Sequence, residues 1–434
     1  MTTIFTVGTG GTHATIQAAW NAIPEPPLDQ YIIQLKNEEF VFSGAAIPLD
    51  ISTRTTTPSN NIIIECAPGA SFKDNSNVRN NGLRYNASNG AGIRCEDAPA
   101  ISFGGTVNHL TIRNLQIKQA ATALSSLDVM KCAVADVSTN KVIKDCLVEL
   151  TGSDNNDIFF LTGTSTLINV IAIHGGNNPD SFFKLSDAAS GYQTTLVNCL
   201  GVRPSNLSAG GICFHNKLDT NVYKVTNSAA FNATTDAFQL NTGIGSDYNA
   251  TDKAQGSSGF PSGPAHNVYS VPFTTATFVQ PSAASSVHDY RLVAGARLEN
   301  AGLLDSTNAP ADISGTARNS PPEIGVWELT GFVQPIHSFD AFNGIAIAGT
   351  GANVAISATA LWTMSAVIMA TATATIVGAN GAILATIAAG QRYSLPVRRR
   401  RFFGDIAQIN LAQYSVNVAN GQTVYVAYQT PAVG

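Results

Sequence analysis

Charged side chains are scarce in this sequence, and so are long apolar runs. Asp, Glu, Lys and Arg make up 12% of the 434 residues, and the formal net charge is −5. So few charges disfavour helical bundles and suit turn-rich β structure. No apolar run reaches about 18 residues, so no membrane-spanning helix is predicted. The acidic balance also gives no general basis for binding nucleic acid or a membrane surface.

Export, disulfide and metal signals are missing as well. The start, MTTIFTVGTGG, has no basic stretch followed by an apolar one, so no export signal is predicted. None of the cysteines forms a CxxC pair and most lie in apolar runs, so we expect buried free thiols in a reducing cytoplasm. No Cys/His cluster has the spacing of a metal site, and neither a metal nor a cofactor is predicted. The six cysteines are Cys66, Cys95, Cys132, Cys146, Cys199 and Cys213.

The sequence does contain a repeat centred on Asn or Asp. Segments such as LTIRNLQIK (110–118) and TTLVNCLGV (194–202) place alternating residues around that polar position. A second series, rich in phenylalanine, interleaves with the first and begins at DIFFLTG (157–163). Two short strands therefore recur in each period of 24 to 31 residues. The central residues of the first series are Asn114, Asp145, Asn169, Asn198 and Asn227.

This period predicts a right-handed parallel β-helix. It is too short for a βαβ unit with a real helix or for a propeller blade, and the leucine consensus of leucine-rich repeats is missing. Coils that stack about 4.8 Å apart place equivalent residues above one another. The central Asn and Asp residues would then form a ladder at one corner, each bonding its equivalents or the turn backbone. An antiparallel sandwich with chance similarity among its strands is the alternative.

The same stacking predicts columns of side chains inside the coils. Cys146 and Cys199 would share one inward column. Aromatic columns are expected from Phe159 or Phe160, Phe182 or Phe183, Phe214 and Phe238.

The first coil of such a stack needs a cover, because an open sheet edge invites aggregation. The segment GTHATIQAAWNAIPEPP predicts a short capping helix with Ile16, Ala19, Trp20 and Ile23 on one face. Thr12 or Thr15 would cap its start, and the prolines that follow would end it.

This helix resembles the TIQAAI helix that often opens members of the pectate-lyase-like right-handed β-helix family. A later stretch is similar to the closing part of many bacterial and phage β-helix proteins, which run through DFRL…GSPAINAG to D..G..R...DIGAYE. The chain departs from that pattern at Glu323, usually Asp, and at Trp327, usually Tyr. The resemblance implies a β-helix over residues 1–330 and specifies no chemistry. The matching residues are Asp289, Tyr290, Arg291, Leu292, Asp312, Gly315, Arg318, Ile324, Gly325 and Glu328.

Residues 331–434 have a different composition. They contain no Lys or Glu, two aspartates and five arginines, so this part carries +3 and the first 330 residues carry −8. Alternating Ala, Thr, Val and Ile, with ANG at 379–381 and 419–421, predicts hairpins in an antiparallel β-sandwich. Strands with so few charges suit burial against another chain, so we expect this domain to oligomerise or attach the protein.

The run Arg398, Arg399, Arg400 and Arg401 is the sharpest charge feature. It is either a solvated loop or a docking patch for carboxylates of a partner, which the guanidinium geometry suits. Nucleic acid is a weak third option because no aromatic residues interleave with the arginines.

No catalytic motif stands out. A glycosidase needs two carboxylates about 5–10 Å apart, and Asp157 and Asp180 precede equivalent strands of successive coils. A lyase would need a base, for which Lys184, Arg203 and His215 are available, whereas His174 is expected to pack or to form a turn. Asp and Asn also dominate turns for backbone reasons alone. Further surface carboxylates of this kind are Asp154, Asp187 and Asp219.

Two functional hypotheses follow, one structural and one of glycan recognition. The first is a structural protein of a tailed-bacteriophage virion, a capsid decoration, head fibre or spike, made in the host cytoplasm. It would be a homotrimer that attaches to other virion proteins through residues 331–434. The alternative is a tailspike that binds or degrades a cell-surface polysaccharide as a hydrolase or lyase. Enzymatic activity is the less favoured expectation, because no persuasive catalytic set is visible.

Overall fold

The fold is that of a computed structural model. It describes residues 1–44, 46–74, 84–96, 98–120, 128–132, 139–151, 156–175, 181–185, 193–204, 211–216, 222–233, 236–240, 245–256, 266–281, 289–293, 295–318, 320–328, 342–348, 350, 352–355, 362–363, 365–370, 373–378, 383–388, 392–394, 398–399, 407–410, 414–419 and 422–429. The chain divides into two units, Met1–Gly331 and Phe332–Gly434.

The first unit is a right-handed parallel β-helix built from three sheets. Sheet A comprises Thr2–Val7, Gln30–Leu35, Ile62–Cys66, Leu110–Arg113, Lys141–Lys144, Ser165–Ile168, Gln193–Val197 and Val222–Thr226. Sheet B comprises Glu39–Phe42, Gly92–Cys95, Gln116–Ala120, Leu147–Thr151, Ile171–His174, Leu200–Val202, Ala229–Phe231 and Ala250–Thr251. Sheet C comprises Leu49–Asp50, Ile101–Phe103, Met130–Cys132, Phe159–Leu161, Ser181–Leu185, Ile212–Asn216 and Phe238–Leu240.

Strand pairing excludes the alternative of an antiparallel sandwich for this unit. Each strand of sheets A, B and C pairs in parallel with a strand of a neighbouring coil, as Lys141–Lys144 does with Ser165–Ile168. Two short 3₁₀ helices, Phe72–Asp74 and Ala87–Asn89, lie in the connections. An antiparallel pair, Phe278–Gln280 with Asp289–Leu292, follows the last coil.

The Asn and Asp positions form the corner between sheets A and B. All five have left-handed backbone conformations, with φ between 51° and 61°. Asn and Asp tolerate this conformation better than other residues with a Cβ, so the backbone itself explains a polar residue inside an apolar run. Asn169 also donates from Nδ2 to Asp145 Oδ1 at 2.8 Å, a direct rung between coils. The side-chain N and O of Asn198 have no hydrogen-bond partner among the described residues.

Columns of side chains fill the interior of the coils. The rings of Phe159, Phe183, Phe214 and Phe238 stack one above another, with centroids 5.2, 4.9 and 4.7 Å apart and planes within 8° of parallel. Such offset stacking adds aromatic attraction to the burial of apolar area. All six cysteines are buried and form no disulfide bond.

A helix covers the first coil. It runs from Ile16 to Asn21, and the Thr15 hydroxyl caps it by accepting from the Ala18 N–H at 3.1 Å. Ile16, Ala19 and Trp20 are buried beneath it, at the face that the sequence predicted. Trp20 fixes the helix to the coil through a 3.0 Å hydrogen bond from Nε1 to Ser52 Oγ.

A second apolar core lies on the outer face of sheet B. The later coils present apolar residues outward there, and the segment that follows the last coil covers them. Every second side chain of a strand points outward. Without the covering segment, this apolar row on sheet B would be exposed to water. The outward residues include Leu147, Ile171, Ile173, Leu200, Val202 and Phe231, and the covering residues include Phe278, Tyr290, Leu292, Leu298, Ile324 and Trp327.

The closing motif attaches this covering segment to the Asn corner. Arg318 is buried and donates to the Gly325 carbonyl at 2.9 Å and to Asn169 Oδ1 at 3.3 Å. Its Nη1 also lies 3.3 Å from Glu328 Oε2. Asn227 Oδ1 accepts from the Leu303 N–H at 2.7 Å. The residues that carry the resemblance therefore hold the last segment against the coils.

The second unit consists of antiparallel sheets. One sheet has the order Phe342–Ala348, Thr423–Gln429, Ser365–Ala370 and Arg392–Ser394. Another has the order Asn353–Ala355, Tyr414–Val418, Ala374–Gly378 and Ile383–Ile387. A third contains Trp362–Thr363, Ala407–Asn410 and Arg398–Arg399.

The two ANG sequences connect their strands in different ways. Ala374–Gly378 pairs with Ile383–Ile387, as a hairpin at 379–381 requires. The hairpin predicted at 419–421 is wrong, because Tyr414–Val418 and Thr423–Gln429 belong to different sheets. Between these two strands the Gln422 N–H donates to the Ala419 carbonyl at 3.1 Å. Turn residues specify a reversal of direction and not which strands pair.

Candidate functional site

The outer face of sheet C carries one side chain from each of several successive coils in register. Because the phenylalanine column points inward, the next residue of each strand points outward. Neighbouring strands lie about 4.8 Å apart, so these side chains form a regular row across the coils. The row runs through Lys131, Phe160, Lys184, His215 and Gln239.

An ion pair anchors the middle of this row. Lys184 Nζ lies 2.9 Å from Asp157 Oδ2, and the two side chains are 11% and 4% exposed. Asp157 comes from the preceding coil, where its N–H donates to Asp128 Oδ1 at 3.0 Å. The same ammonium lies 5.7 Å from the centroid of the Phe160 ring, in cation–π range.

A serine and a histidine meet beside this pair. Ser181 Oγ and His215 Nδ1 are 2.8 Å apart, and both residues are buried. A hydroxyl next to an imidazole is the arrangement that activates nucleophilic serines. Ser181 is fully buried, however, so the hydrogen bond serves to orient the His215 ring.

Two further basic residues lie at the strand ends of sheet B. His174 is fully buried, and burial lowers its pKa to about 3, so it stays neutral. Its Nε2 lies 3.2 Å from the Asn156 carbonyl, and its ring meets Phe182 edge-on. Arg203 is also fully buried, and burial lowers the pKa of its guanidinium. His174 is thus a packing residue, as its place in the sequence suggested.

The structure brings together Asp157, Lys184 and His215, which the sequence offered as separate candidates. Asp180 lies outside the described residues, as do Asp154, Asp187 and Asp219. The proximity of Asp157 to Asp180 therefore remains a prediction.

The arginine run is described in part. Arg398–Arg399 form a two-residue strand that pairs with Ala407–Asn410. Arg400 and Arg401 lie outside the described residues.

The described residues contain no group of three or more His, Cys, Asp or Glu side chains that could hold a metal ion. None of the helices described has the length and apolar character needed to cross a bilayer.

Sequence reasoning missed two features of this region. The Ser181–His215 contact joins residues 34 positions apart, and only the strand register reveals it. The alignment of Lys131 with Phe160 could have been found by extending the phenylalanine series back to the strand Met130–Cys132, where Met130 takes the phenylalanine position.

Comparisons with known proteins give structural likeness alone. No protein-family model matches the sequence, and no curated protein matches it. Among solved structures the chain is similar to pectate lyase Pel9A, at 14% identity and a TM-score of 0.39, over 76% of this chain and 96% of that one. It is also similar to the pectin methylesterase from Aspergillus niger, at 13% identity and a TM-score of 0.33, over 70% of this chain and 94% of that one.

Proposed function

We propose that the protein binds a polysaccharide along the outer face of sheet C. The observation that carries this proposal is the row of outward side chains in register, with Phe160 between Lys131 and Lys184. A linear sugar chain repeats along its length, and a β-helix offers one equivalent position per coil. The row therefore matches a repeating ligand better than a compact one.

The chemistry of the row fits sugar rings. The apolar face of a pyranose packs on an aromatic ring, and the half-buried Phe160 supplies one. Lys131 and Gln239, also half-buried, can hydrogen-bond sugar hydroxyls on either side. The Asp157–Lys184 pair would hold Phe160 in place from one side, because its ammonium lies near that ring.

Calorimetric titration with capsular and lipopolysaccharide oligosaccharides tests this proposal. Phe160→Ala and Lys131→Ala should each weaken binding about tenfold, since each removes one contact of roughly 1.4 kcal/mol. Lys224→Ala is the matched control, because Lys224 is an exposed lysine on sheet A. Equal affinity in all three variants would show that sheet C is not the binding face.

Analysis of the sugars in the same samples after incubation distinguishes binding from cleavage. A depolymerase would release reducing ends, and a lyase would release unsaturated sugars. A pure binding protein would release neither while retaining its affinity.

A second candidate is a structural role in a tailed-bacteriophage particle. It is favoured by apolar side chains at the surface of the second unit, where Ile383 is 68% exposed and Leu384 is 39% exposed. Exposed apolar residues on a strand of low charge suit a subunit interface. In this role residues 331–434 would form a homotrimer and attach it to capsid or tail proteins, with the β-helix carrying any cell-surface glycan contact.

A further inference from the structure

A separate cleft opens on the outer face of sheet B, over the early coils. Its volume is about 420 Å³. The lining is polar, in contrast with the apolar outer face of the later coils on the same sheet. It includes Glu39, Tyr85, Asn86, Arg94, Lys118 and Thr151.

One wall of the cleft is a connection held across the sheet by side chains from three coils. The Tyr85 N–H donates to Glu149 Oε2, and the Asn86 N–H donates to Gln116 Oε1, both at 3.0 Å. Gln116 Nε2 returns a 2.9 Å bond to the Asn86 carbonyl. The Tyr85 hydroxyl donates to Glu39 Oε1 at 2.9 Å. Buried Gln116 and Glu149 thus fix the wall before any ligand arrives.

Gly92 lets the tyrosine of this wall lie against the strand. A Cβ at Gly92 would stand 2.6 Å from Tyr85 Oη and 2.9 Å from its Cε2. Any larger residue would push the ring away from Glu39. The close approach of ring and backbone therefore depends on glycine at this position.

Two cations stand side by side on the floor of the cleft. Arg94 and Lys118 are directly opposite each other on neighbouring strands, with side chains 38% and 26% exposed. Like charges in this relation destabilise a sheet unless something compensates them.

Each cation forms an ion pair with a carboxylate but makes no hydrogen bond to it. Arg94 Nη2 is 3.6 Å from Glu96 Oε1, and Lys118 Nζ is 3.8 Å from Glu149 Oε1, both too long for hydrogen bonds. Glu149 is instead bonded to Arg84 and to the Tyr85 N–H. Neither Arg94 nor Lys118 donates a side-chain hydrogen bond to any part of the chain that the structure describes.

We propose that this cleft binds a sugar carrying a carboxylate, with the carboxylate between Arg94 and Lys118. Charge-assisted hydrogen bonds from a guanidinium and an ammonium are the strong ones, and the guanidinium suits a planar carboxylate. The hydroxyl groups of the ligand would face Asn86, Tyr85 and Thr151. Glu39 closes one end and repels a second anionic group, which favours a ligand with one carboxylate in the cleft. The site stands on sheet B and does not depend on glycan binding by sheet C.

Calorimetric titration of the full chain with D-glucuronate and D-glucose tests the site, since the two sugars differ at one carboxylate. Glucuronate should bind at least tenfold more tightly than glucose. Arg94→Gln and Lys118→Gln should each weaken glucuronate binding about tenfold. Lys224→Gln, at an exposed lysine on sheet A, should leave it unchanged. Both cations are partly exposed, so circular dichroism should show the variants folded.

Equal binding of the two sugars, or glucuronate affinity that falls with Phe160→Ala and not with Lys118→Gln, would overturn the proposal. Gly92→Ala gives a second check, because it should reduce glucuronate affinity while both cations remain. The methyl glycoside of glucuronate identifies the source: retained binding supports a residue within a glycan chain, and lost binding supports the free sugar acid.

Discussion

Asn169 and Asn198 occupy the same corner in neighbouring coils but use their side chains differently. Both have left-handed backbones, with φ of 52° and 54°. Asn169 donates to Asp145 and to the Ala311 carbonyl and accepts from Arg318. Asn198 makes no side-chain hydrogen bond to a described residue. Asn198 therefore contributes through its backbone conformation alone, whereas Asn169 contributes through its side-chain hydrogen bonds as well.

Substitution by glycine and alanine separates these two roles. Asn198→Gly should cost little stability, because glycine adopts the left-handed conformation freely, whereas Asn198→Ala should cost about 1–2 kcal/mol. Asn169→Gly should be the more damaging glycine variant, since it removes the donor to Asp145 Oδ1 and to the Ala311 carbonyl and an acceptor of the buried Arg318. Urea unfolding of the three variants measures the difference. A larger loss for Asn198→Gly than for Asn169→Gly would contradict this account.

Glu323 makes stability depend on pH. Burial, with Glu328 close by, raises its pKa to about 9 from 4.5. Above about pH 4.5 the unfolded chain ionises this carboxyl while the folded protein keeps it protonated. Stability is therefore lost as pH rises from about 4.5 to 9, by up to about 1.4 kcal/mol per pH unit.

Glu323→Gln should remove this loss. Relative to the natural protein, the variant should gain stability as pH rises from 5 to 9. Thermal unfolding at pH 5, 7 and 9 measures the gain. Glu25→Gln, at an exposed glutamate, serves as control and should show no such trend. A pH-independent difference between Glu323→Gln and the natural protein would refute the assignment.

At the scale of elements, stacking converts a sequence repeat into a continuous core. Phe183 has the Phe159 ring on one side and the Phe214 ring on the other, with centroids 5.2 and 4.9 Å away. Loss of this inner ring therefore opens a cavity between two coils.

Phe183→Ala should destabilise the β-helix by about 3–5 kcal/mol, the range for a large cavity in a packed core. Phe160→Ala is the outward control from the same sheet, and its cost should be small. Chemical denaturation, followed by tryptophan fluorescence, compares the two variants. A cost for Phe160→Ala as large as that for Phe183→Ala would mean that the inward and outward faces are misassigned.

The sequence of a turn does not predict which strands it joins into one sheet. The same three residues, ANG, join paired strands at 379–381 and strands of different sheets at 419–421. The difference arises from which strands each sheet already contains. Thr423–Gln429 is paired on both sides, by Phe342–Ala348 and Ser365–Ala370, so Tyr414–Val418 finds no free edge there.

At the scale of the whole molecule, the second unit is the candidate for self-association. In the strand Ile383–Ile387 the exposed residues include Ile383 and Leu384, and Thr386 is exposed as well. Ile383→Asp should dissociate the proposed trimer, since it places a charge in an apolar interface. Thr386→Asp adds the same charge on the same strand and should have a smaller effect. Sedimentation analysis measures the oligomeric state of both variants and of the natural protein. A natural protein that sediments as a monomer would contradict the proposed trimer.

The sequence by itself determined the coil, and the tertiary structure decided the sites. The Asn repeat, the phenylalanine series and the capping helix are periodic or local signals, so they could be read without coordinates. The cleft and the closing motif depend on distant pairs: Tyr85 and Glu39 are 46 residues apart, and Arg318 and Asn169 are 149 apart. The repeat does not predict either contact, because Tyr85 lies in a connection and Arg318 in the segment after the last coil, outside the repeated strands. The sequence repeat therefore predicts how the coils stack, whereas the way the connections fold over those coils determines the positions of the functional groups.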